Sequence, residues 1–283
     1  MIAADRLTRG DISAARDALG HTGEWAWVEE GSACDLLLAS AQGARDCLDG
    51  LLPGVDVVVQ LQAGRRKRLL VADMDSTMIG VECIDELADY AGLKAEVAAV
   101  TEQAMRGELA FEDALDARVA LLKGLEEGAI QRCHDERVRV TPGALALVRT
   151  MRAQGAYCLL VSGGFSRFAD RVAAEIGFDA SVSNQLHIVD GRLAGTVGSP
   201  IVGAQGKLEA LRAAAETRSI PLGDVLAVGD GANDIPMIAA AGLGIAYHAK
   251  PALVAAADAR IDSNDLTALL FAQGYARGDW DKA

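Results

Sequence analysis

The sequence predicts an α/β protein: a doubly wound parallel sheet with an inserted helical cap and a small N-terminal α/β domain. Three observations predict it. Four short apolar runs, "LLVAD" (Leu69–Asp73), "YCLLVS" (Tyr157–Ser162), "VLAVGD" (Val225–Asp230) and "LGIAYH" (Leu243–His248), each end at turn residues and lead into a helical pattern. Continuous apolar runs of this kind mark strands buried on both faces, hence parallel sheet joined by right-handed βαβ crossovers. Between the first two runs lies a long insert, about Ile79 to Val140, rich in Ala, Glu, Leu and Lys, which reads as several helices. Ahead of them all, residues 1–66 alternate helix and strand on a smaller scale.

In chain order, "ISAARDALG" (Ile12–Gly20) reads as helix, and "EWAWVEE" (Glu24–Glu30) and "CDLLLAS" (Cys34–Ser40) as strands. "AQGARDCLDGLL" (Ala41–Leu52) then reads as helix and "VDVVVQ" (Val55–Gln60) as strand. This unit carries no chemical motif, so its expected role is packing, regulation or assembly into a homodimer. The catalytic core is expected over 67–78 and 141–283, and the cap over 79–140. "HIVDGRL" (His187–Leu193) has an Asp-Gly turn signal between apolar positions and predicts a β-hairpin.

Composition sets the class. A chain of 283 residues suggests roughly two domains, and 51% hydrophobic with 24% charged residues is a soluble globular balance. The net charge of −13 argues against nucleic acid or an anionic membrane as partner. The basic run "RRKR" (Arg65–Arg68) reads as a solvated linker. The first residues, "MIAADRLTRG", have no apolar signal core, and no stretch reaches the length of a membrane span. Five scattered cysteines without a C-x-x-C imply reduced thiols and a cytoplasmic setting. "CHDE" (Cys133–Glu136) looks like a ligand set, but adjacent helical residues face different directions, so a polar helix surface is expected.

In doubly wound sheets ligands bind beyond the carboxyl ends of the strands. Asp73 and Asp75 follow the first strand, and an extended chain turns residues two apart to one side. Ser162 and Gly163, in "VSGGFS", follow the second. Asp230, Asn233 and Asp234, in "VGDGANDIPM", follow a later one, and Lys207 opens the helix between. Each signal alone has a plain structural reading, since Asp or Ser after a strand is often only a helix N-cap and Gly-Gly only a tight turn. Together the four carboxylates are too many like charges for a dry site without a cation. All-oxygen ligands suit Mg²⁺. Ser162, the Gly163 amide and Lys207 are donors suited to phosphate oxygens. Carboxylates, Mg²⁺ and a phosphate cradle together point to phosphoryl transfer.

"DMDST", "SGG", a lone Lys and "GDGAND", in this order, resemble the haloacid dehalogenase superfamily of Mg²⁺ phosphatases. "DMDSTMIGVECIDELA", "QAMRGELAFEDALDARVALL" and "VSGGFSRFADRVAAEIG" are similar to its phosphoserine phosphatase branch, from about Leu69 to the C-terminus. That resemblance implies a HAD-like (Rossmannoid) core and hydrolysis of phosphoserine to serine and phosphate, the last step of serine biosynthesis. It implies Asp73 as nucleophile and Asp75 as general acid and base. Mg²⁺ would lie on the Asp73 carboxylate, the Asp75 carbonyl and Asp230, with Asp234 as ligand or just behind. Ser162, Gly163, Lys207 and Asn233 would surround the phosphate. Glu82 would face the substrate ammonium and Arg118 grip its carboxylate, with Phe111 and Met105 as an apolar wall. For Glu82 and Arg118 the plain reading is a solvated helix surface.

Two other readings stay open. The same core fits a phosphatase or phosphotransferase for another small phosphate ester. A phospho-accepting receiver also uses strand-end aspartates and a Lys, but lacks the second Asp and the cap. Nucleotide-binding motifs fail: "GAQGKL" puts Leu208 where a P-loop needs Ser or Thr, and "GDGAND" lacks the third glycine of a dinucleotide fingerprint.

Overall fold

The computed structural model describes residues 1–20, 23–105 and 108–281. The first unit runs β1 (Ile2–Ala3), α1 (Arg9–Ala18), β2 (Trp25–Glu29), β3 (Ala33–Leu36), α2 (Ala44–Leu48), β4 (Val55–Asp56). Its antiparallel sheet has the order β2-β3-β1-β4, the split β-α-β-β-α-β arrangement. α1 starts at a capping box: Thr8 Oγ1 accepts from the Asp11 amide at 3.2 Å and Asp11 Oδ2 from the Thr8 amide at 2.8 Å. The helix then buries Ile12 and Ala15 against the sheet. Both "CDLLLAS" and "VDVVVQ" are strands over a shorter range than their sequences predict, because β1 between them is two residues long.

β5 (Leu69–Ala72) opens the main sheet and is buried throughout. The cap follows as α3 (Cys83–Tyr90), α4 (Lys94–Met105), α5 (Phe111–Leu121) and α6 (Glu127–Arg137). An isolated antiparallel bridge between Ile79 and Val140 ties the two ends of this insert together. The chain goes on through α7 (Ala144–Ala153), β6 (Tyr157–Phe165), α8 (Ser166–Ile176) and β7 (Ala180–Asn184). β8 (Leu186–Val189) and β9 (Arg192–Val197) form the hairpin, its turn built on Asp190 and Gly191 at φ 49° and 73°. Last come α9 (Ala204–Thr217), β10 (Val225–Gly229), α10 (Ile235–Ala240), β11 (Leu243–Tyr247), α11 (Pro251–Val254), β12 (Ala259–Ile261) and α12 (Ala268–Ala272).

The six-stranded sheet has the order β12-β11-β10-β5-β6-β7 and is parallel throughout. The chain winds one way from β5 to β6 and β7, then returns to the other side of β5 for β10, β11 and β12. β5 therefore sits where the winding reverses, the place at which such sheets bind ligands. One apolar layer, with Leu147, Phe168 and Leu270, covers one face; a second, with Leu211, Met237 and Leu253, covers the other.

The N-terminal unit is stitched to this core by polar contacts. Asp56 accepts from the amides of Asp262, Ser263 and Asn264 at 3.0–3.2 Å. Arg45 Nη1 donates to the Ala257 carbonyl at 2.7 Å. The run "RRKR" is part of the seam and not a solvated linker. Arg65 bridges Asp35 and the Ala272 carbonyl, Arg66 lies over the Tyr275 ring, and Lys67 Nζ donates to the Gly223 carbonyl at 2.8 Å. "CHDE" also differs from expectation: Cys133 and His134 are buried, His134 against Phe168 of α8, and only Asp135 and Glu136 of the four face solvent. Among the described residues no helix is long and apolar enough to cross a membrane.

Candidate active site

β5 ends at Ala72, and the buried Asp73 leaves it with Oδ1 accepting from the Met74 amide at 2.8 Å. The chain does not stay extended beyond this point. Met74–Met78 form one tight turn in which Ser76 has φ 55°, a left-handed conformation. Asp73 and Asp75 therefore do not project from one side of a strand. Asp75 Oδ1 instead accepts from the Cys83 amide at 3.3 Å, at the start of α3. A side chain at Gly164 would bring its Cβ to 3.1 Å from Asp75 Oδ2 and 3.0 Å from Ser162 Oγ, so the glycine lets these two come close.

Lys207, in the first turn of α9, is fully buried and reaches Asp73 Oδ1 at 2.6 Å and Asp234 Oδ1 at 2.8 Å. Asp234 Oδ2 accepts from the amides of Asp230 and Gly231 at 3.2 and 3.1 Å. Gly229 has no side chain because a Cβ there would collide with that carboxylate. Asp230 Oδ1 accepts from Thr77 Oγ1 at 3.2 Å. Carboxylate oxygens of Asp73, Asp230 and Asp234 all lie within 4.8 Å of one another.

One ammonium thus faces three buried carboxylates. Burial, then the charge of Asp234, pushes Asp73 well above the usual carboxylate range against the pull of Lys207. Burial and Asp234 likewise raise Asp230 to about 6. Burial works against the Lys207 charge, but Asp73 and Asp234 outweigh it and hold its pKa above the ordinary value. A cluster that resists ionising for want of positive charge, with only hard oxygen donors, fits a divalent cation. The Asp75 carboxylate lies outside this cluster, so any role in holding a metal falls to its main chain. Burial, reinforced by Glu82, raises Asp75 to about 7, where a side chain can both give and take a proton at neutral pH.

Ser162 and Gly163 lie towards the end of β6, which pairs with β5, the strand that Asp73 follows. Ser162 Oγ accepts from the Gly164 amide at 2.8 Å. A Cβ on Gly163 would lie 3.1 Å from Phe111 Cζ, so Phe111 of the cap packs directly on this loop. Asn233 shares the turn of Asp234, is half-buried and makes no side-chain hydrogen bond with the described residues. Glu82 is exposed and accepts from Ser76 Oγ at 2.7 Å. Arg118 is half-buried on α5, with Nε donating to the Ala114 carbonyl at 3.2 Å. Burial lowers its pKa, opposed by Asp85, Glu82 and Asp75, so the guanidinium faces the acidic side of the cap. It has no ion-pair partner among the described residues. The Met105 side chain falls outside those described.

Two residues of the site went unread in the sequence. Thr77 orients Asp230. Asn184, at the end of β7, is buried; its Nδ2 donates to the Gly163 carbonyl at 2.9 Å and its Oδ1 accepts from the Val202 amide at 2.7 Å. It thereby links the Ser162 loop to the loop that starts α9.

Residues 70–239 match the model of the haloacid dehalogenase-like hydrolase family. The chain is 48% identical over 231 residues to phosphoserine phosphatase SerB2 of Mycobacterium tuberculosis, covering 81% of this chain and 56% of that one. It thus spans little more than half of that relative's length. A structure described as a phospho-aspartyl intermediate analogue of phosphoserine phosphatase matches with TM-score 0.68 and 39% identity, over 73% of this chain and 98% of that one. The unliganded probable phosphoserine phosphatase of Vibrio cholerae matches with TM-score 0.77 and 33% identity, over 96% of this chain and 85% of the other. Family model, relatives and fold agree with the strand-end cluster: the chain belongs to the haloacid dehalogenase-like hydrolases.

Proposed function

We propose that the protein is a Mg²⁺-dependent phosphoserine phosphatase of the cytoplasm, converting O-phospho-L-serine and water to L-serine and phosphate. The observation that carries the reading is the state of Asp73. Lys207 and the Met74 amide both hold Oδ1, while Oδ2 takes no hydrogen bond from the described residues. A carboxylate fixed by one oxygen and free at the other is set to attack phosphorus.

In the first step Asp73 bonds to phosphorus and the P–O bond to serine breaks, giving an aspartyl-phosphate. The departing serine oxygen takes a proton from Asp75. In the second, Asp75 takes a proton from water, the water oxygen bonds to phosphorus, and the bond to Asp73 breaks to release phosphate. Lys207, the Gly163 amide and Ser162 hold the charge of the transferring group. Asp73, Asp230 and the Asp75 carbonyl would hold Mg²⁺, with Asp234 orienting the loop behind them. The ion would supply positive charge against the phosphoryl oxygens. Glu82 and Arg118 would take the substrate ammonium and carboxylate, and Asn233 the phosphate side. In this reading 67–78 and 141–283 form the catalytic core, 79–140 its cap and 1–66 a separate unit. Five free cysteines, four of them buried, accord with a reducing compartment.

Phosphate release from phosphoserine, measured with and without Mg²⁺ in the wild type and in Asp73→Asn, tests the reading. Turnover that needs Mg²⁺ and vanishes in the variant supports it. Residual activity near a tenth of wild type would remove Asp73 as nucleophile, since losing one costs many decades. A panel of other phosphate esters decides the substrate: equal or faster release from one of them would reassign it.

A further inference from the structure

The β8–β9 hairpin stands outside the main sheet and attaches itself to the cap. Opposite Arg192 of β9 is Glu126, in the turn between α5 and α6, as an isolated antiparallel bridge. Three main-chain bonds join the two stretches. The Gly124 amide donates to the Leu193 carbonyl at 2.8 Å, the Leu193 amide to the Leu125 carbonyl at 2.9 Å, and the Glu127 amide to the Gly191 carbonyl at 2.9 Å. The Arg192 side chain clasps the same turn, Nη1 donating to the Gly124 carbonyl at 2.9 Å and Nη2 lying 3.2 Å from Glu126 Oε1. Gly195 of β9 has φ 81°, and a Cβ there would come to 2.9 Å from Lys123 Cβ, so only glycine admits the turn this closely. The exposed ion pair weighs little by itself, and the main-chain bonds carry the attachment.

What this attachment holds is α5, the helix that ends at the turn and lies along β9. At the start of α5, Phe111 sits between two glycines of the phosphate cradle. A Cβ on Gly163 would lie 3.1 Å from its Cζ, and one on Gly203, just ahead of α9, 3.1 Å from its Cδ1. At the far end the hairpin grips Gly124. α5 is thus a bar fixed at both ends, with Arg118 in its last turn, about 10 Å along the axis from Phe111. The hairpin is anchored in its turn. At its base the Gly198 amide donates to the Gln185 carbonyl at 2.7 Å, and beside it Asn184 holds the Val202 amide at 2.7 Å. The chain from cradle to hairpin to α5 therefore closes on the cradle again.

We propose that the β8–β9 hairpin is a specificity-determining element: by holding the far end of α5 it sets the distance from Arg118 to the phosphate cradle, and with it the length of phosphorylated amino acid that the site accepts. This rests on the reading of Arg118 as the group that takes the substrate carboxylate. A substrate held by its phosphate at one end and its carboxylate at the other is measured by the gap between the two. In a closed pocket one methylene too many is worth roughly 10- to 200-fold. That discrimination lasts only while the gap is fixed. Released from the hairpin, α5 pivots on Phe111 and lifts Arg118 to suit a longer molecule. Arg192 is a positioning residue in this scheme, because it touches neither substrate nor reacting atoms.

The hairpin can be detached without touching the site. Glu127 is the first residue of α6, and Glu126 before it is extended at φ −65°, ψ 136°, a setting that suits proline at position 127. Glu127→Pro removes the N–H bonded to Gly191 and the ion pair of Glu127 with Arg167 at 2.6 Å. Glu127→Ala loses the same ion pair but keeps the N–H, and serves as control. The double variant Arg192→Ala/Glu127→Pro is compared with the control and wild type on O-phospho-L-serine, O-phospho-L-homoserine (one methylene longer) and phosphoethanolamine, which has no carboxylate. In the double variant the kcat/KM preference for phosphoserine over phosphohomoserine should fall roughly tenfold or more. The control should keep the preference, and all three proteins should hydrolyse phosphoethanolamine alike. Amide exchange at Arg118 and Leu193 should be roughly tenfold faster in the double variant. Faster exchange with an unmoved preference overturns the proposal. So does unmoved exchange, since α5 would then not depend on the hairpin, and so does an equal loss on all three substrates. A wild type inactive on phosphoserine brings down the proposed function and the hairpin's role together, whereas an unmoved preference in an active enzyme brings down the hairpin's role alone.

Discussion

Lys207 Nζ lies 2.6 Å from Asp73 Oδ1, both side chains withdrawn from water, and the same ammonium is shared with Asp234 at 2.8 Å. The lysine is therefore at once a counterion of the fold and a neighbour of the proposed nucleophile. A buried charge left without its partner costs about 3–5 kcal/mol.

Lys207→Met is accordingly expected to lose stability of that order in urea unfolding without Mg²⁺, and to lose turnover. Mg²⁺ should restore part of the stability, because it supplies charge to the same carboxylates, but not the activity. Asp73→Asn removes one charge from the repelling set and should keep or gain stability while losing turnover. A Lys207→Met protein as stable as wild type without Mg²⁺ would mean that the carboxylates are already neutral there.

Asn184 touches neither cluster nor substrate in this arrangement, yet it ties the Gly163 carbonyl to the Val202 amide. Asn184→Ala should let the Ser162 loop and the start of α9 drift apart. Displacements near 1 Å cost on the order of 100-fold in rate. The loss should fall on kcat more than on KM, with the affinity for Mg²⁺ unchanged. A loss confined to thermal stability, with kcat intact, would reduce Asn184 to a packing role.

His134 makes one contribution to the pH dependence of the fold. It is buried between α6 and α8, stacked on Phe168 at 6.2 Å, and neither ring nitrogen has a hydrogen bond. Asp135 Oδ1 stands 3.5 Å from Nδ1 and, with Glu175, favours the charged ring. Burial, aided by Arg171, outweighs them and lowers the pKa below its ordinary 6.5. A histidine depressed in the folded state contributes stability above its unfolded pKa, and that stability is lost as pH falls through it. Wild type should therefore weaken relative to His134→Leu between pH 7.5 and 5.5, followed as the difference in thermal midpoint. A constant difference across that range would show that the ring does not titrate on unfolding.

The sheet was legible where both of its faces are covered. β5, β6, β10 and β11 are interior strands with continuous apolar runs, and the sequence reveals all four. β7 and β12 are the two edges of the sheet. An edge strand needs no such run, and "ASVSN" is half-buried along most of its length. Missing β7 also hid Asn184, which the strand-end rule would otherwise have collected. The aspartates were legible as strand-end residues, but not the left-handed Ser76 that swings Asp75 off the line of β5. Charge patterning alone could not show that "RRKR" seals a seam, because the Asp35, Gly223 and Ala272 groups it binds lie 30 to 207 residues away.

Arg118 separates a phosphoserine enzyme from a general phosphatase. Its guanidinium is half-buried, faces the side of the cap that holds Glu82 and Asp85, and has no ion-pair partner among the described residues. If it grips the substrate carboxylate, Arg118→Ala leaves that group unpaired in a closed site and costs about 2–5 kcal/mol. That corresponds to a fall of roughly 30- to 4,000-fold in kcat/KM for phosphoserine. Phosphoethanolamine has the ammonium and the phosphate but no carboxylate, so it never gained the contact and should lose little. Measuring kcat/KM for both substrates in both proteins closes a double-mutant cycle in which one partner sits on the substrate. Equal losses on the two would place Arg118 in cap closure or phosphate binding, and carboxylate recognition would then have to come from elsewhere in the cap.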